Sequence, residues 1–130
     1  MKSILLVDDE TEVRTGLART LRGFRFRVDL ASTQEKALRA LRNSPFDAVL
    51  LEFNLRSERK TRPRTGGGLE LVRRLRASGI RTPVLIFTAM EGKLYENASF
   101  DAGADEFILK KEGIPHFLTR IRAHIGPVSE

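Results

Sequence analysis

The sequence predicts a single α/β domain built on a doubly wound, five-stranded parallel sheet. Three observations lead there. Five short aliphatic runs alternate strictly with five helical patterns along the 130 residues. The runs are mostly continuous rather than alternating apolar with polar, as strands covered on both faces require. The chain is long enough to bury one core and too short for two.

Ser3 to Val7 is the first such run, and a helix follows in which Val13, Leu17 and Leu21 recur every four residues before Gly23 as a stop signal. Phe26 to Leu30 reads as a second strand, although Arg27 and Asp29 interleave with its apolar residues. Ser32-Thr33-Gln34-Glu35 carries a capping-box signature in which the serine oxygen and the glutamate satisfy orphan N–H groups. That helix buries Ala37, Leu38 and Leu41 and stops at Asn43-Ser44-Pro45. Asp47 to Leu51 is the third strand. A helix opening at Gly68 then buries Leu71, Val72 and Leu75 before Ser78-Gly79. Pro83 introduces a fourth strand, Val84-Leu85-Ile86-Phe87, ending in Thr88-Ala89. A weaker helix covers Lys93 to Asp101, broken by Gly103, and the fifth strand is Glu106-Phe107-Ile108-Leu109. The last helix carries Phe117, Leu118, Ile121 and Ile125. Parallel strands joined by right-handed crossovers, with helices on both faces, are the architecture this order implies.

Composition narrows the function classes. Hydrophobic residues make up 41% and charged residues 31%, as in an ordinary soluble globular domain. No apolar stretch approaches the roughly 20 residues that cross a bilayer, and no signal peptide is visible, so the cytoplasm is the expected location. The absence of cysteine excludes disulfides, thiolate metal sites and a cysteine nucleophile. The net charge is +6, but Arg56, Arg59, Lys60, Arg62 and Arg64 with Glu58 contribute four of those charges within nine residues. The basicity is local, so the body of the domain is nearly balanced.

In an open parallel sheet, side chains at the carboxyl ends of the strands meet in one crevice, where ligands bind. Here those ends supply Asp8 and Asp9, then Glu52, Thr88 and Lys110. Three carboxylates, one hydroxyl and one ammonium thus converge. Each alone is unspecific, whereas the five in this order are far more so. His116 and His124 stand eight residues apart with no second ligand nearby and read as surface or boundary residues. Gly66-Gly67-Gly68 lacks the Gly-Lys-Ser/Thr of a phosphate-binding loop, and no serine–histidine–acid arrangement occurs. The expectation is a protein that is not an enzyme.

From Lys2 to Ile125 the chain resembles the response-regulator receiver family, with its flavodoxin-like fold and strand order 2-1-3-4-5. The resemblance rests on Leu5-Leu6-Val7-Asp8-Asp9-Glu10, on Phe46-Asp47-Ala48-Val49-Leu50-Leu51 with Asn54, on Phe87-Thr88-Ala89, on Ala102-Gly103-Ala104-Asp105 and on Phe107-Ile108-Leu109-Lys110. It implies a domain over residues 1–126 carrying a basic insertion at 56–67, with 127–130 as tail or linker. By resemblance, Asp8 and Asp9 form an acidic pocket, and Asp9, Glu52 and the Asn54 carbonyl would hold Mg²⁺. Thr88, Phe107 and Lys110 would be switch residues, and a histidine kinase would phosphorylate the acceptor. Such chemistry needs a hard cation, because a carboxylate attacking phosphorus brings negative charges together.

Departures from the family pattern qualify this. Glu52 stands where the family has the acceptor aspartate, which displaces the nucleophilic oxygen by about one C–C bond, when misplacement on the order of 1 Å can cost ~100-fold. Phosphorylation at Glu52 is therefore disfavoured, and Mg²⁺ is expected to bind weakly if at all. A conformation locked by Glu52, paired with Lys110 and hydrogen-bonded to Thr88, is the favoured reading; a drifted site without a switch is the bland one. Lys111 replaces the proline usual after the switch lysine, which implies a trans Lys110–Lys111 peptide, since cis costs about 2.5–4 kcal/mol. It also implies a shifted Lys110 backbone. Arg56 likewise replaces a frequent proline, and Phe107 lacks the tyrosine hydroxyl some relatives have.

The insertion reads either as a solvated loop or as a contact for an acidic partner, nucleic acid or Glu52 itself. The expectation is a phosphorylation-independent receiver in two-component signalling that works by protein–protein contact with an effector or a histidine kinase-type protein, with a homodimer also compatible. Its expected surface, by resemblance, is the fourth helix, fifth strand and fifth helix, including Lys93, Tyr95, Phe107, His116 and Arg120. Two alternatives remain open: a working Mg²⁺-dependent phosphoacceptor, and a polyanion-binding module using the basic loop.

Overall fold

The computed structural model describes residues 1–56 and 66–126. Five strands and five helices alternate along them: β1 (Ser3–Val7), α1 (Thr11–Gly23), β2 (Arg27–Ala31), α2 (Gln34–Asn43), β3 (Ala48–Leu51), α3 (Gly67–Ala77), β4 (Val84–Thr88), α4 (Lys93–Ala102), β5 (Glu106–Leu109) and α5 (Gly113–Ile125). A single 3₁₀ turn, Lys110–Glu112, joins β5 to α5. The sheet is wholly parallel, in the order β2-β1-β3-β4-β5. The α/β class, the strand order and the helix count all agree with the sequence reading.

Strand periodicity divides the core in two. Leu5, Val7, Val49, Leu51, Val84 and Ile86 face one side, with α2, α3 and α4 covering them. Ile4, Leu6, Leu50, Leu85 and Phe87 face the other, against Leu21 of α1 and Phe117, Leu118 and Ile121 of α5. Because β1, β3 and β4 are covered on both faces, their sequences are unbroken aliphatic runs. Burying each such side chain contributes about 1.5–3 kcal/mol, which makes these strands the stable centre.

Several boundaries move for physical reasons. Phe26 lies outside β2: its ring is buried in the α1–α5 core, and its N–H is captured by the Leu21 carbonyl at the end of α1. Gly23 is the last residue of α1 rather than the stop beyond it, and the left-handed turn falls on Arg25, at φ 70°. Asp47 precedes β3, where its carboxylate accepts the Ser3 N–H at 2.7 Å. The expected capping box does not form. Thr33 is the N-cap, accepting the Lys36 N–H at 3.1 Å, while Glu35 pairs with Arg74 of α3 at 3.2 Å. A tertiary partner has outcompeted the local one.

Arg76 ties down the amino end of the sheet. Its guanidinium donates to the carbonyls of Gly103, Ile80 and Thr82 and to Asp105 at 2.8 Å, and the same Asp105 oxygen accepts the Val84 N–H. At the opposite end, α3 opens at Gly67, one residue before the expected Gly68, after Gly66 has turned the chain at φ 92°. A Cβ on Gly67 would collide with the Leu55 carbonyl, and one on Gly68 would lie 2.5 Å from the Glu52 carbonyl. The start of α3 therefore rests directly on the backbone of residues 52–56.

On α5, Arg120 and His124 converge on one oxygen of Glu106, at 2.6 and 2.8 Å. Burial raises the Glu106 carboxyl, but hydrogen bonds and charge from Arg120 and His124 outweigh it and hold the group below the usual value.

Two outcomes follow for stability. Gly68→Ala is expected to destabilise the domain by about 1–3 kcal/mol through backbone overlap, whereas Gly16→Ala in α1, which meets nothing within 4 Å, should stabilise it by about 0.5–1 kcal/mol; urea unfolding of both variants checks the opposite signs. The depressed Glu106 carboxyl contributes stability that is present above its unfolded value of 4.5 and is lost as the pH falls through the folded value. Melting temperatures of Glu106→Gln should accordingly fall less steeply on the acid side than those of the wild type, and parallel slopes would exclude this linkage.

Candidate functional site

Each chemistry-bearing residue foreseen at a strand end arrives at the carboxyl edge of the sheet. Asp8 and Asp9 follow β1, Glu52 follows β3, Thr88 closes β4 and Lys110 follows β5. Adjacency of β1, β3, β4 and β5 brings these ends side by side.

Glu52 is the hub. Its backbone N–H continues the ladder to the Val7 carbonyl at 3.1 Å, which fixes its Cα beside β1. One carboxylate oxygen, Oε1, accepts from the Lys110 ammonium at 2.9 Å. The other, Oε2, accepts from the Thr88 hydroxyl at 2.6 Å and from the Asn54 N–H at 3.0 Å. A carboxylate offers about four acceptor positions, so three donors nearly saturate it. The pair is shielded, with side-chain exposures of 13% for Glu52 and 28% for Lys110, so water screens it little.

The supporting groups are equally defined. Thr88 is fully buried, and its hydroxyl accepts the Met90 N–H at 3.2 Å while donating to Glu52, so its rotamer is set from both sides. The Lys110 ammonium stands 5.8 Å from the centre of the Phe87 ring, which itself stacks on Phe117. The Lys110–Lys111 peptide is trans, and Lys111 forms an ion pair with Glu91.

Asp8 is buried, and desolvation pushes its carboxyl up. The Glu10 N–H and the Lys110 charge oppose that rise, while Glu52 and Asp9 add to it. One Asp8 oxygen accepts the Glu10 N–H at 3.0 Å, and the Asp8 carbonyl accepts from Arg14 at 2.6 Å. Asp9 Oδ2 accepts the backbone N–H of Arg56 at 3.0 Å. Among the described residues, no three histidine, aspartate or glutamate side chains come together in a way that could hold a metal ion. The acids Asp8, Asp9 and Glu52 share one edge of the sheet. Asn54 Oδ1 is buried without a hydrogen-bond partner, one acceptor in the region that the described protein groups leave unused.

Phe53, next to Glu52, is buried and meets Tyr95 of α4 edge-on, with ring centres 5.4 Å apart. Phe107 is half-buried and packs on the same α2–α3–α4 core as Met90 and Tyr95. Its outer edge lines a cleft of about 340 Å³ bounded by Glu91, Lys93, Glu96, Leu109 and Glu112. Beside the cleft Leu94 is 78% exposed, and His116 pairs with Glu112 at 3.2 Å. The two histidines thus each have a glutamate partner. Arg59, Lys60, Arg62 and Arg64 lie outside the described residues, as do 127–130; of the basic loop, Arg56 alone is described.

Sequence reasoning did not find Gln34, which is buried at the start of α2 and joins Glu70 and Arg74 of α3 at 3.0 and 3.1 Å. A glutamine in the first turn of an amphipathic helix carries no signal of such burial. Nor did it foresee that Arg56 would act through its backbone. The signal was present, since an arginine in place of a proline restores an N–H.

Comparison with known proteins agrees with this fold. Residues 4–122 match the family model for the response regulator receiver domain. The chain is 37% identical over 120 residues to the response regulator MprA of Mycobacterium sp. (strain KMS), covering 92% of this chain and 49% of that protein, so it spans about half the length of such relatives. Among solved structures, the BeF3-activated N-terminal receiver domain of Klebsiella pneumoniae RstA is 26% identical, with a TM-score of 0.83 over 95% of this chain and 98% of that one. The response regulator TrrA of Thermotoga maritima, solved in complex with Mg²⁺ and beryllium fluoride, is also 26% identical, with a TM-score of 0.78 over 95% and 98%. With the fold, the order of strand-end residues and these matches in agreement, the chain belongs to the response regulator receiver domain family.

Proposed function

We propose that this receiver signals without phosphorylation, held in one conformation by Glu52 and read out by a protein partner. The observation that carries the reading is the near-saturation of the Glu52 carboxylate by Lys110, Thr88 and the Asn54 N–H. The added methylene lets the carboxylate reach both the ammonium and the hydroxyl at once. Lys110 and Thr88 are the groups that the family resemblance assigns to an acceptor's phosphoryl oxygens. Glutamate engages them with a single charge in place of the roughly −1.5 to −2 of a phosphate group.

The same engagement weakens Glu52 as a nucleophile. Attack on phosphorus requires a free lone pair in line with the leaving group, and three donors already point at this carboxylate. Where RstA and TrrA were solved with beryllium fluoride, TrrA with Mg²⁺ as well, this chain offers a protein ion pair. The signal would leave through α4, β5 and α5: Thr88 bonds Met90 N, and Met90, Tyr95 and Phe107 share one packed cluster beneath that face. A cleft lined by Phe107, Leu109, Lys93 and the three glutamates Glu91, Glu96 and Glu112 offers apolar and charged contacts to a protein effector or a kinase-type partner.

The test is intact mass after exposure to a small-molecule phosphodonor with Mg²⁺. Wild type is expected to stay unmodified, while Glu52→Asp gains one phosphoryl group. A wild-type adduct mapped to Glu52 would instead restore a phosphorelay role.

A further inference from the structure

We propose that the backbone N–H of Arg56 serves as the standing partner of Asp9 in place of a divalent cation, so that the acidic edge keeps no resident Mg²⁺. The inference deepens the locked reading of the pocket and rests on it, but it concerns Asp9 rather than Glu52.

Three carboxylates at one edge need their charge offset, and a hard cation held by oxygens is one way to do it. Here the offsets are the protein's own. Glu52 is engaged by Lys110, Thr88 and the Asn54 N–H, Asp8 by the Glu10 N–H, and Asp9 by an N–H from 47 residues away. Mg²⁺ demands near-ideal octahedral oxygen geometry at about 2.0–2.1 Å. A carboxylate oxygen turned towards an N–H is a poorer ligand for Mg²⁺ than an unengaged one, and at Asp9 that oxygen is Oδ2.

The Arg56 amide is also held in place rather than merely nearby. Residues 52–55 form a turn closed by the Leu55 N–H on the Glu52 carbonyl at 3.3 Å, and Leu55 is buried. The Gly68 N–H bonds the Phe53 carbonyl at 3.2 Å, and Gly67 packs against the carbonyls of Leu55 and Arg56 without room for a Cβ. Gln34 approaches the Arg56 carbonyl from α2 at 3.5 Å. An amide so anchored needs no further ordering to meet Asp9, which favours it over an ion drawn from solution.

Arg56→Pro deletes this one donor. With Mg²⁺ alone as the probe, backbone amide NMR titrations would compare wild type, Glu52→Asp, and Glu52→Asp combined with Arg56→Pro. Wild type is expected to give no saturable response at Asp9 or Glu52. The double variant should bind Mg²⁺ on the order of tenfold more tightly than Glu52→Asp alone, the equivalent of one hydrogen bond to a charged group. Saturable binding in wild type, or equal affinity in the two variants, overturns the inference. If the proline variant does not fold, hydrogen exchange of the Arg56 amide decides. Faster exchange in Asp9→Ala than in wild type supports the bond, and unchanged exchange overturns it. Saturable Mg²⁺ binding by a wild type that takes no phosphoryl group would sink this inference and leave the locked reading standing; an adduct on a chain whose Asp9 and Arg56 amides ignore Mg²⁺ would do the reverse.

Discussion

The bond between Lys110 and Glu52 is the interaction on which the carboxyl edge depends, because it connects the ends of strands that are not neighbours. β3 and β5 are separated by β4, and Thr88 at the end of β4 donates to the same carboxylate. Three strand ends are thus bound through one side chain. Removing either charge would leave the other shielded and unpaired, which costs more than the pair gains by forming.

Much of this was legible in the sequence. Continuous aliphatic runs at β1, β3 and β4, short and bounded by turn residues, read as strands covered on both faces, and strict alternation with helices points to a parallel sheet. The strand-end residues followed from that topology without knowledge of contacts, because a parallel sheet delivers all carboxyl ends to one side. Less legible was anything decided by tertiary competition. Glu35 could have closed its own helix's capping box, yet Arg74 of α3 drew it away. Phe26 has the composition of a strand residue, yet its N–H finishes α1. Arg56 looked like part of a charged loop, and the group that matters there is its backbone. Pattern reading records side-chain types, whereas these outcomes turned on main-chain donors and on partners far along the chain.

The two ends of the sheet are built by different means. At the amino end, Arg76 spends its guanidinium on carbonyls and on Asp105, an arrangement in which a planar, permanently charged donor fork satisfies several loops at once. At the carboxyl end the chain instead relies on close backbone approach, with Gly67 and Gly68 resting on residues 52–56. One end is stapled by a side chain and the other fitted by the lack of one. The second kind of contact transmits small displacements, because backbone pressed on backbone has no rotamer through which to yield.

That fit also bears on the connection between β3 and α3. The described residues on either side of that connection are held together by the Glu52–Leu55 turn and the Gly68–Phe53 bond. Between ends already held together, the entropy of closing a loop grows in general only with the logarithm of its length, each doubling costing roughly 0.6 kcal/mol. Added length between these two anchors therefore costs the fold little stability.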